Sequence, residues 1–437
     1  MQIVSYRGPT QPGGVSNALT QIDYLQNQQS NWFYIVDHEL WIKNKDQKRP
    51  IYAFDKIIQK NHYYYCNNFL WPIMHDMPEL ARYSLVERLH YKVFNSSLAL
   101  NLNRPDHLGK EAYFVNDYQL ALLPKFLNAN QNKYIFWHIP WPKDVWPQHA
   151  DAIGEIAEAL LSADAIGFHT EEYKDNFENF VRQYLPFAQV SSKLIVSPLG
   201  IDNRFWQENA TENPLLPATN GVPYVLSVDR VDYTKGVRER LLAINHFFKT
   251  NPEWQEKVVF VQQCARSRPG LSEFDKYWHE CRSIYESVNS IYSKDAWKPI
   301  LWTDKPTSPP ELASSYANAS IMLVNPLKDG LNLTAKEFVA SQQSNPGVLT
   351  LSNGAGVWSE LGNHCISVRP KDLHSFAHKI LYGLNMSIEE KKRRQRSLRN
   401  CVAANSLSMW WQKFVDLEKM SIRNRDEKLN QTKRMCV

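Results

Sequence analysis

The feature that most constrains the fold is a rhythm that runs, stops and starts again. Short apolar runs at Tyr113-Phe114-Val115, Tyr134-Ile135-Phe136-Trp137 and Leu194-Ile195-Val196 alternate with longer stretches of helical periodicity. Such alternation predicts buried strands in a parallel sheet built from βαβ units. Residues 206–220, rich in Asn, Pro, Thr and Glu, interrupt it and read as a linker. The rhythm then restarts with a strand at Tyr224-Val225-Leu226-Ser227-Val228. After Gly236 comes an amphipathic helix with Val237, Leu241, Ile244 and Phe248 on one face. Further strands follow at Val258–Val261, Ile321–Val324 and Val348–Leu351. A chain of 437 residues is also too long for one ordinary core. The expectation is an α/β protein of two Rossmann-like halves, residues 1–205 and 206–407. A last helix, about 408–437 and containing Trp410-Trp411, is expected to cross back to the first half. Ligands of doubly wound sheets bind at the carboxyl ends of the strands, so the expected site is a cleft between the halves.

The loops that follow strands therefore carry the chemistry. In Asp229-Arg230-Val231-Asp232-Tyr233-Thr234-Lys235-Gly236 a strand runs into a turn bearing two cations, and a helix opens at once. Free N–H groups at a helix N-terminus, beside Arg230 and Lys235, make a seat for a diphosphate. Surface cations near a helix start would look the same in isolation. Asn325-Pro326-Leu327-Lys328-Asp329-Gly330-Leu331-Asn332-Leu333-Thr334-Ala335-Lys336-Glu337 repeats the plan, with a Gly turn and a helix opening near Leu333. Asp329 suits sugar hydroxyls and Glu337 a ribose, or they are an N-cap and a helix-surface charge. Asp117 and His138 also end strands, and His138 alone would read as a satisfied core group. Arg7 follows the first strand, and Gly13-Gly14 can bring backbone close to a phosphate.

Composition removes other classes. With 43% hydrophobic and 22% charged residues the chain reads as globular, and no apolar run approaches a membrane span. A net charge of +5 fits an anionic small molecule better than nucleic acid. The densest basic cluster, Lys391 to Arg396, follows what looks like a capping box at Ser387 to Glu390, and reads as a solvated helix face. Six scattered cysteines without metal spacing, and a start without a secretion signal, make the cytoplasm the expected compartment. Neither a metal nor a cofactor is expected, because no Asp-x-Asp or other ligand cluster occurs. Self-association is left open.

Taken together, the motifs resemble the trehalose-6-phosphate synthase family, retaining glycosyltransferases with the GT-B fold. The resemblance rests on Arg7, Gly13-Gly14, Leu70-Trp71-Pro72, Asn116-Asp117-Tyr118-Gln119-Leu120 and His138-Ile139-Pro140-Trp141-Pro142. It continues through Gly167-Phe168-His169-Thr170, Pro198-Leu199-Gly200-Ile201-Asp202 and the two long motifs above, in family order from residue 3 to about 415. It implies that Arg230, Lys235, Asp329 and His138 act on the donor sugar nucleotide. Gly13, Gly14, Gly330, Asn332, Leu333 and Glu337 would complete the donor site. Arg7, Tyr64, Trp71, Asp117 and Arg268 would bind the acceptor, with Arg7 and Arg268 on its phosphate. The chain departs from the family at Asn116 (a His there), Trp141 (Phe), Lys328 (Arg) and Thr334 (Val).

The activity so implied is transfer of glucose from a nucleotide sugar, UDP-glucose first, to glucose 6-phosphate. GDP- or ADP-glucose as donor stays open. So do glycerol 3-phosphate as acceptor, as in glucosylglycerol-phosphate synthase, and a non-catalytic sugar-phosphate sensor.

Overall fold

The computed structural model describes all residues except 10–12, 26–31, 37–50, 53, 104–111, 189, 191–192, 212–218, 220, 343–345 and 436–437. Cys436 and most of the expected linker lie outside the described residues. The chain forms two compact units, Met1–Leu199 with Leu407–Val437, and Gly200–Ser406.

The first unit holds a parallel sheet of β1 (Gln2–Ser5), β2 (Trp32–Ile35), β3 (Ile51–Tyr52), β4 (Tyr113–Asn116), β5 (Lys133–Phe136), β6 (Ala165–Phe168) and β7 (Leu194–Val196). Their order is β3-β2-β1-β4-β5-β6-β7. Every residue of β1, β4, β5 and β6 is buried, as strands covered on both faces require. Winding reverses between β1 and β4, which places the loops after Ser5 and Asn116 side by side. The helix Leu407–Met435 belongs to this unit. Its Trp410, Trp411 and Phe414 pack on Phe114 with centroids 5.6, 5.3 and 4.8 Å away. Gly167 allows that approach, because a Cβ there would stand 3.0 Å from the Phe414 ring and 2.5 Å from Phe136. Glu418 accepts a hydrogen bond from the Ala112 N–H at 3.1 Å.

The second unit repeats the winding with β8 (Tyr224–Val231), β9 (Val259–Arg266), β10 (Ile300–Thr303), β11 (Ile321–Val324), β12 (Val348–Ser352) and β13 (Ile366–Val368), in the order β10-β9-β8-β11-β12-β13. Val237, Leu241, Ile244 and Phe248 of the helix Val237–Thr250 are all buried. Strands β8 and β9 run well past the apolar runs that announce them, pairing through Asp229–Cys264 to Val231–Arg266. Their polar ends survive burial because Arg240, itself wholly buried, donates to Asp229 at 2.9 Å, Gln262 at 2.9 Å and Asn325 at 2.8 Å.

Two local expectations need correction. Residues 206–208, the start of the supposed linker, belong to a helix (Asn203–Glu208) capped by Asp202, and Trp206 packs on Tyr316 at 5.7 Å. Ser387 caps its helix by accepting from the Glu390 N–H, but the Glu390 carboxylate turns to Arg393 and Arg394 instead of closing the box. The reciprocal box stands at Ser308 and Glu311.

Candidate active site

In the second unit three strand ends converge, those of β8, β11 and β12. Strand β8 leads into a single 3₁₀ turn, Tyr233–Lys235, capped by Asp232. One carboxylate oxygen of buried Asp232 accepts from the Thr234 N–H and hydroxyl, each at 3.1 Å; the other accepts from Arg268 at 2.5 Å. Gly236 then turns with φ +66°, and a Cβ there would lie 2.4 Å from the Asn325 carbonyl. Only glycine fits both the dihedral and the space. Asn325 ties the turn to β11 by donating to the Gly236 carbonyl at 2.8 Å, while its own oxygen is held by Arg240.

The loop after β11 is fastened on both sides. The Leu327 N–H donates to the Thr234 carbonyl at 2.7 Å, and the Asp329 N–H to the Gly354 carbonyl at 2.8 Å. Gly354 and Gly356 let the β12 loop pass under it, since Cβ atoms there would stand 2.4 Å from the Leu327 carbonyl and 2.1 Å from that of Gly330. The result sets Lys235 Nζ 2.5 Å from Asp329 Oδ2, both side chains mostly buried. Asn332, at φ +84°, donates to the same Asp329 oxygen at 3.2 Å and caps the helix Leu333–Ser341 by accepting from the Ala335 N–H. The Thr334 hydroxyl also donates to the Asn332 oxygen, at 2.8 Å. Where the family carries a Val, this chain thus has a second clamp on the cap.

Along that helix, partly exposed Glu337 accepts from the Tyr316 hydroxyl at 3.0 Å, and burial pushes its carboxyl up to about 7. The adjacent Lys336 points the other way into the core, 2.7 Å from Glu360, which also accepts from Asn405. Arg230 is exposed at the end of β8, opposite Ala265.

In the first unit, Arg7 is exposed just past β1, and a methyl on Gly13 would lie 3.5 Å from its guanidinium, so the two are neighbours. Gly14 opens the helix Gly14–Leu25. Asp117 follows β4 directly with φ +74°, a conformation that costs a non-glycine residue energy and that clusters at functional positions. Its carboxylate accepts from the His138 backbone N–H at 3.2 Å. The buried His138 ring has both nitrogens engaged, Nε2 by Asn116 at 3.1 Å and Nδ1 by His169 at 3.3 Å. Burial pulls its pKa down to about 3, so the ring is neutral. Trp71 is buried and leans on His75, 4.0 Å between centroids, with Tyr118 at 5.8 Å. It follows a six-residue π-helical stretch, Tyr65–Leu70, the kind of bulge found often at functional sites. Tyr64 lies just before the bulge, beneath the Lys60 ammonium.

The structure therefore joins Lys235, Asp329 and Asn332 in one cluster, Arg7 with Gly13, and Asp117 with His138. Among the described residues no hydrogen bond, ion pair or ring contact links Tyr64 to Trp71 or Asp117. Arg268, expected to read an acceptor phosphate, belongs to the second unit and is already paired with Asp232. Sequence reasoning missed Arg240 and Glu360 and gave no role to Asp232, Asn325, Lys336 or His169. For Arg240 a signal existed: it falls three residues after Val237 and four before Ile244, on the apolar face, where a lone cation must find buried partners.

The model of glycosyltransferase family 20 matches residues 27–419. A bifunctional trehalose-6-phosphate synthase/phosphatase from Thermoproteus tenax is 32% identical over 376 residues, covering 80% of this chain and 50% of its own. The chain spans about half the length of the curated relatives it matches. Among solved structures, a UDP-forming α,α-trehalose-phosphate synthase from Burkholderia vietnamiensis is 25% identical, with a TM-score of 0.85 over 96% of this chain and 99% of that one. A trehalose-6-phosphate structure from E. coli bound with UDP-2-fluoro glucose matches with the same identity, TM-score and coverage.

Proposed function

The chain belongs to glycosyltransferase family 20, with the GT-B fold, and from that premise we propose that it moves glucose from UDP-glucose to glucose 6-phosphate with retention of configuration. The products are trehalose 6-phosphate and UDP. One observation carries the reading: the Lys235 ammonium stands against Asp329 where winding reverses between β8 and β11, beside the Asn332-capped helix. That is where a doubly wound sheet binds a nucleotide.

Arg230 and Lys235 neutralise the diphosphate, the helix start at Leu333 adds its dipole, and Glu337 accepts from the ribose hydroxyls. Asp329, held in place by Lys235 and Asn332, accepts from the donor sugar hydroxyls. Asp117 orients the acceptor hydroxyls, with Trp71 beside them. Arg7 and Arg268 take the acceptor phosphate, Arg268 sharing its guanidinium between Asp232 and the ligand. The bond from the sugar C1 to the diphosphate oxygen breaks, and a bond from C1 to the acceptor's C1 hydroxyl oxygen forms. The hydroxyl proton passes to the departing diphosphate. Cations fixed before reaction stabilise the charge that develops, so the chemistry asks for positioning instead of a protein nucleophile. His138, neutral and engaged at both nitrogens, takes no proton in this scheme. Among the described residues no helix is long and apolar enough to cross a membrane, and five cysteines are free thiols, which fits a reducing cytoplasm.

The test is a matrix of UDP-, GDP- and ADP-glucose against glucose 6-phosphate, glycerol 3-phosphate and free glucose, read by product mass. Fastest turnover for UDP-glucose with glucose 6-phosphate supports the reading. Preference for glycerol 3-phosphate would move the chain to the glucosylglycerol-phosphate reaction, and no turnover with any pair would leave a sensor.

A further inference from the structure

Four groups on four segments of the first unit form a directed hydrogen-bond chain, and its direction can be read end to end. The Leu199 backbone N–H points at His169 Nδ1, 3.3 Å away, so that nitrogen carries no proton. The His169 proton is therefore on Nε2, which faces His138 Nδ1 at 3.3 Å. His138 Nδ1 must accept, which leaves its own proton on Nε2, 3.1 Å from Asn116 Oδ1. At the far end the Asn116 amide has one workable orientation. Its Nδ2 donates to the Val4 carbonyl at 3.3 Å and to the Phe114 carbonyl at 3.1 Å, and a flipped amide would turn its oxygen on both. Asn116 is 1% exposed, so water does not compete.

We propose that Asn116 is a positioning residue that locks the His138 ring as the neutral tautomer protonated at Nε2. The family's His at this position has a ring nitrogen able to donate as well as accept. An Asn oxygen can only accept, and here it cannot turn away. The lock has two consequences. His138 is held without a spare proton or lone pair, so it shapes the site and does not serve as general acid or base. The fixed ring also steadies the His138 backbone N–H that orients Asp117. The groups facing the ring are His169, the Asp117 carboxylate reached through the His138 backbone, and the rings of Phe136 and Trp410 at 4.6 and 6.3 Å. What the lock does in turnover rests on the proposed transfer reaction; the tautomer itself does not.

The experiment is nitrogen-15 NMR of the histidine rings in the full chain without substrate, with His138 identified by loss of its signals in His138→Gln. The expected result is one protonated and one bare ring nitrogen for His138, with the proton on Nε2, unchanged between about pH 6 and pH 8. Asn116→Asp places a carboxylate against Nε2–H and is expected to shift the His138 titration upward, toward the ordinary value of about 6.5. Asn116→Ala leaves the ring held from the His169 side alone and is expected to add a population protonated on Nδ1, whereas an unchanged single tautomer would assign the lock to His169 and overturn the role given to Asn116. A wild-type ring protonated on Nδ1, or a charged one, would overturn the proposal. So would an Asn116→Asp variant that titrates like the wild type. If Asn116→Ala does not fold, the wild-type spectrum and the Asp variant still decide. A locked tautomer in a chain that transfers no glucose would sink the reaction and leave the lock standing.

Discussion

Lys235 and Asp329, 94 residues apart in the chain, meet at 2.5 Å across the loops that end β8 and β11. Neither loop reaches the other by its own propensity. The Gly236 turn, the Asn325 amide and the glycines under the β11 loop bring them together. The pair is mostly buried, so removing either residue takes a neutralising charge from the other.

Lys235→Ala is therefore expected to lower turnover by ~100-fold, about 2.7 kcal/mol of transition-state stabilisation. Steady-state rates with saturating donor, alongside a melting curve, check this. Wild-type turnover in a folded variant would remove Lys235 from the donor site.

Glu337 supplies a pH dependence with a definite sign. Its carboxyl sits at about 7 in the fold against an ordinary 4.5, because burial disfavours the charge. The folded state keeps a proton that the unfolded chain has lost, so this group's contribution to stability falls as pH rises from about 4.5 through 7. Ribose hydroxyls need the ionised form, so UDP affinity should strengthen as pH rises through about 7. Glu337→Gln should flatten that dependence. Tyr316→Phe removes the hydrogen bond that lowers the pKa and should move the midpoint higher. Calorimetric titration with UDP across this range reads all three.

Arg268 is expected to have two separable effects. Arg268→Ala should lose roughly 1.5–3 kcal/mol of the preference for glucose 6-phosphate over glucose. It should also lower the melting temperature, because wholly buried Asp232 loses the Arg268 guanidinium. Arg268→Lys should recover stability more fully than phosphate selectivity, since an ammonium lacks the planar fork. Kinetics on both acceptors would contradict the assignment if the Ala variant keeps its full preference for the phosphate.

The buried Lys336–Glu360 pair lies on the core side of the helix Leu333–Ser341. Breaking it with Lys336→Met should cost ~3–5 kcal/mol, whereas removing both charges in Lys336→Met/Glu360→Leu should recover most of that loss. Denaturant unfolding of the two variants decides. A double variant no better than the single one would contradict this view of the pair.

Much of this was legible in the sequence because parallel strands buried on both faces announce themselves as apolar runs. Leu194–Val196 and Ile321–Val324 have the bounds the runs give. Strands β8 and β9 were under-read because Asp229, Gln262 and Gln263 look wrong for a core until Arg240 is seen to satisfy two of them. The residues after strand ends were visible as Arg230, Lys235, Asp329 and Asp117. Their partners were not, because Asp232 with Arg268 and Asn116 with His138 pair across long sequence separations that no local period encodes. The helix at 203–208 was hidden by flanking Asn and Glu, which read as loop until Trp206 finds Tyr316.

The most direct test of the account is the product itself. The 437-residue chain is incubated with UDP-glucose and glucose 6-phosphate, UDP release is followed, and the product is identified by proton NMR. The account predicts one UDP for each disaccharide phosphate, with both anomeric linkages α. Release of UDP with free glucose and no disaccharide, or a product with an inverted linkage, would contradict it.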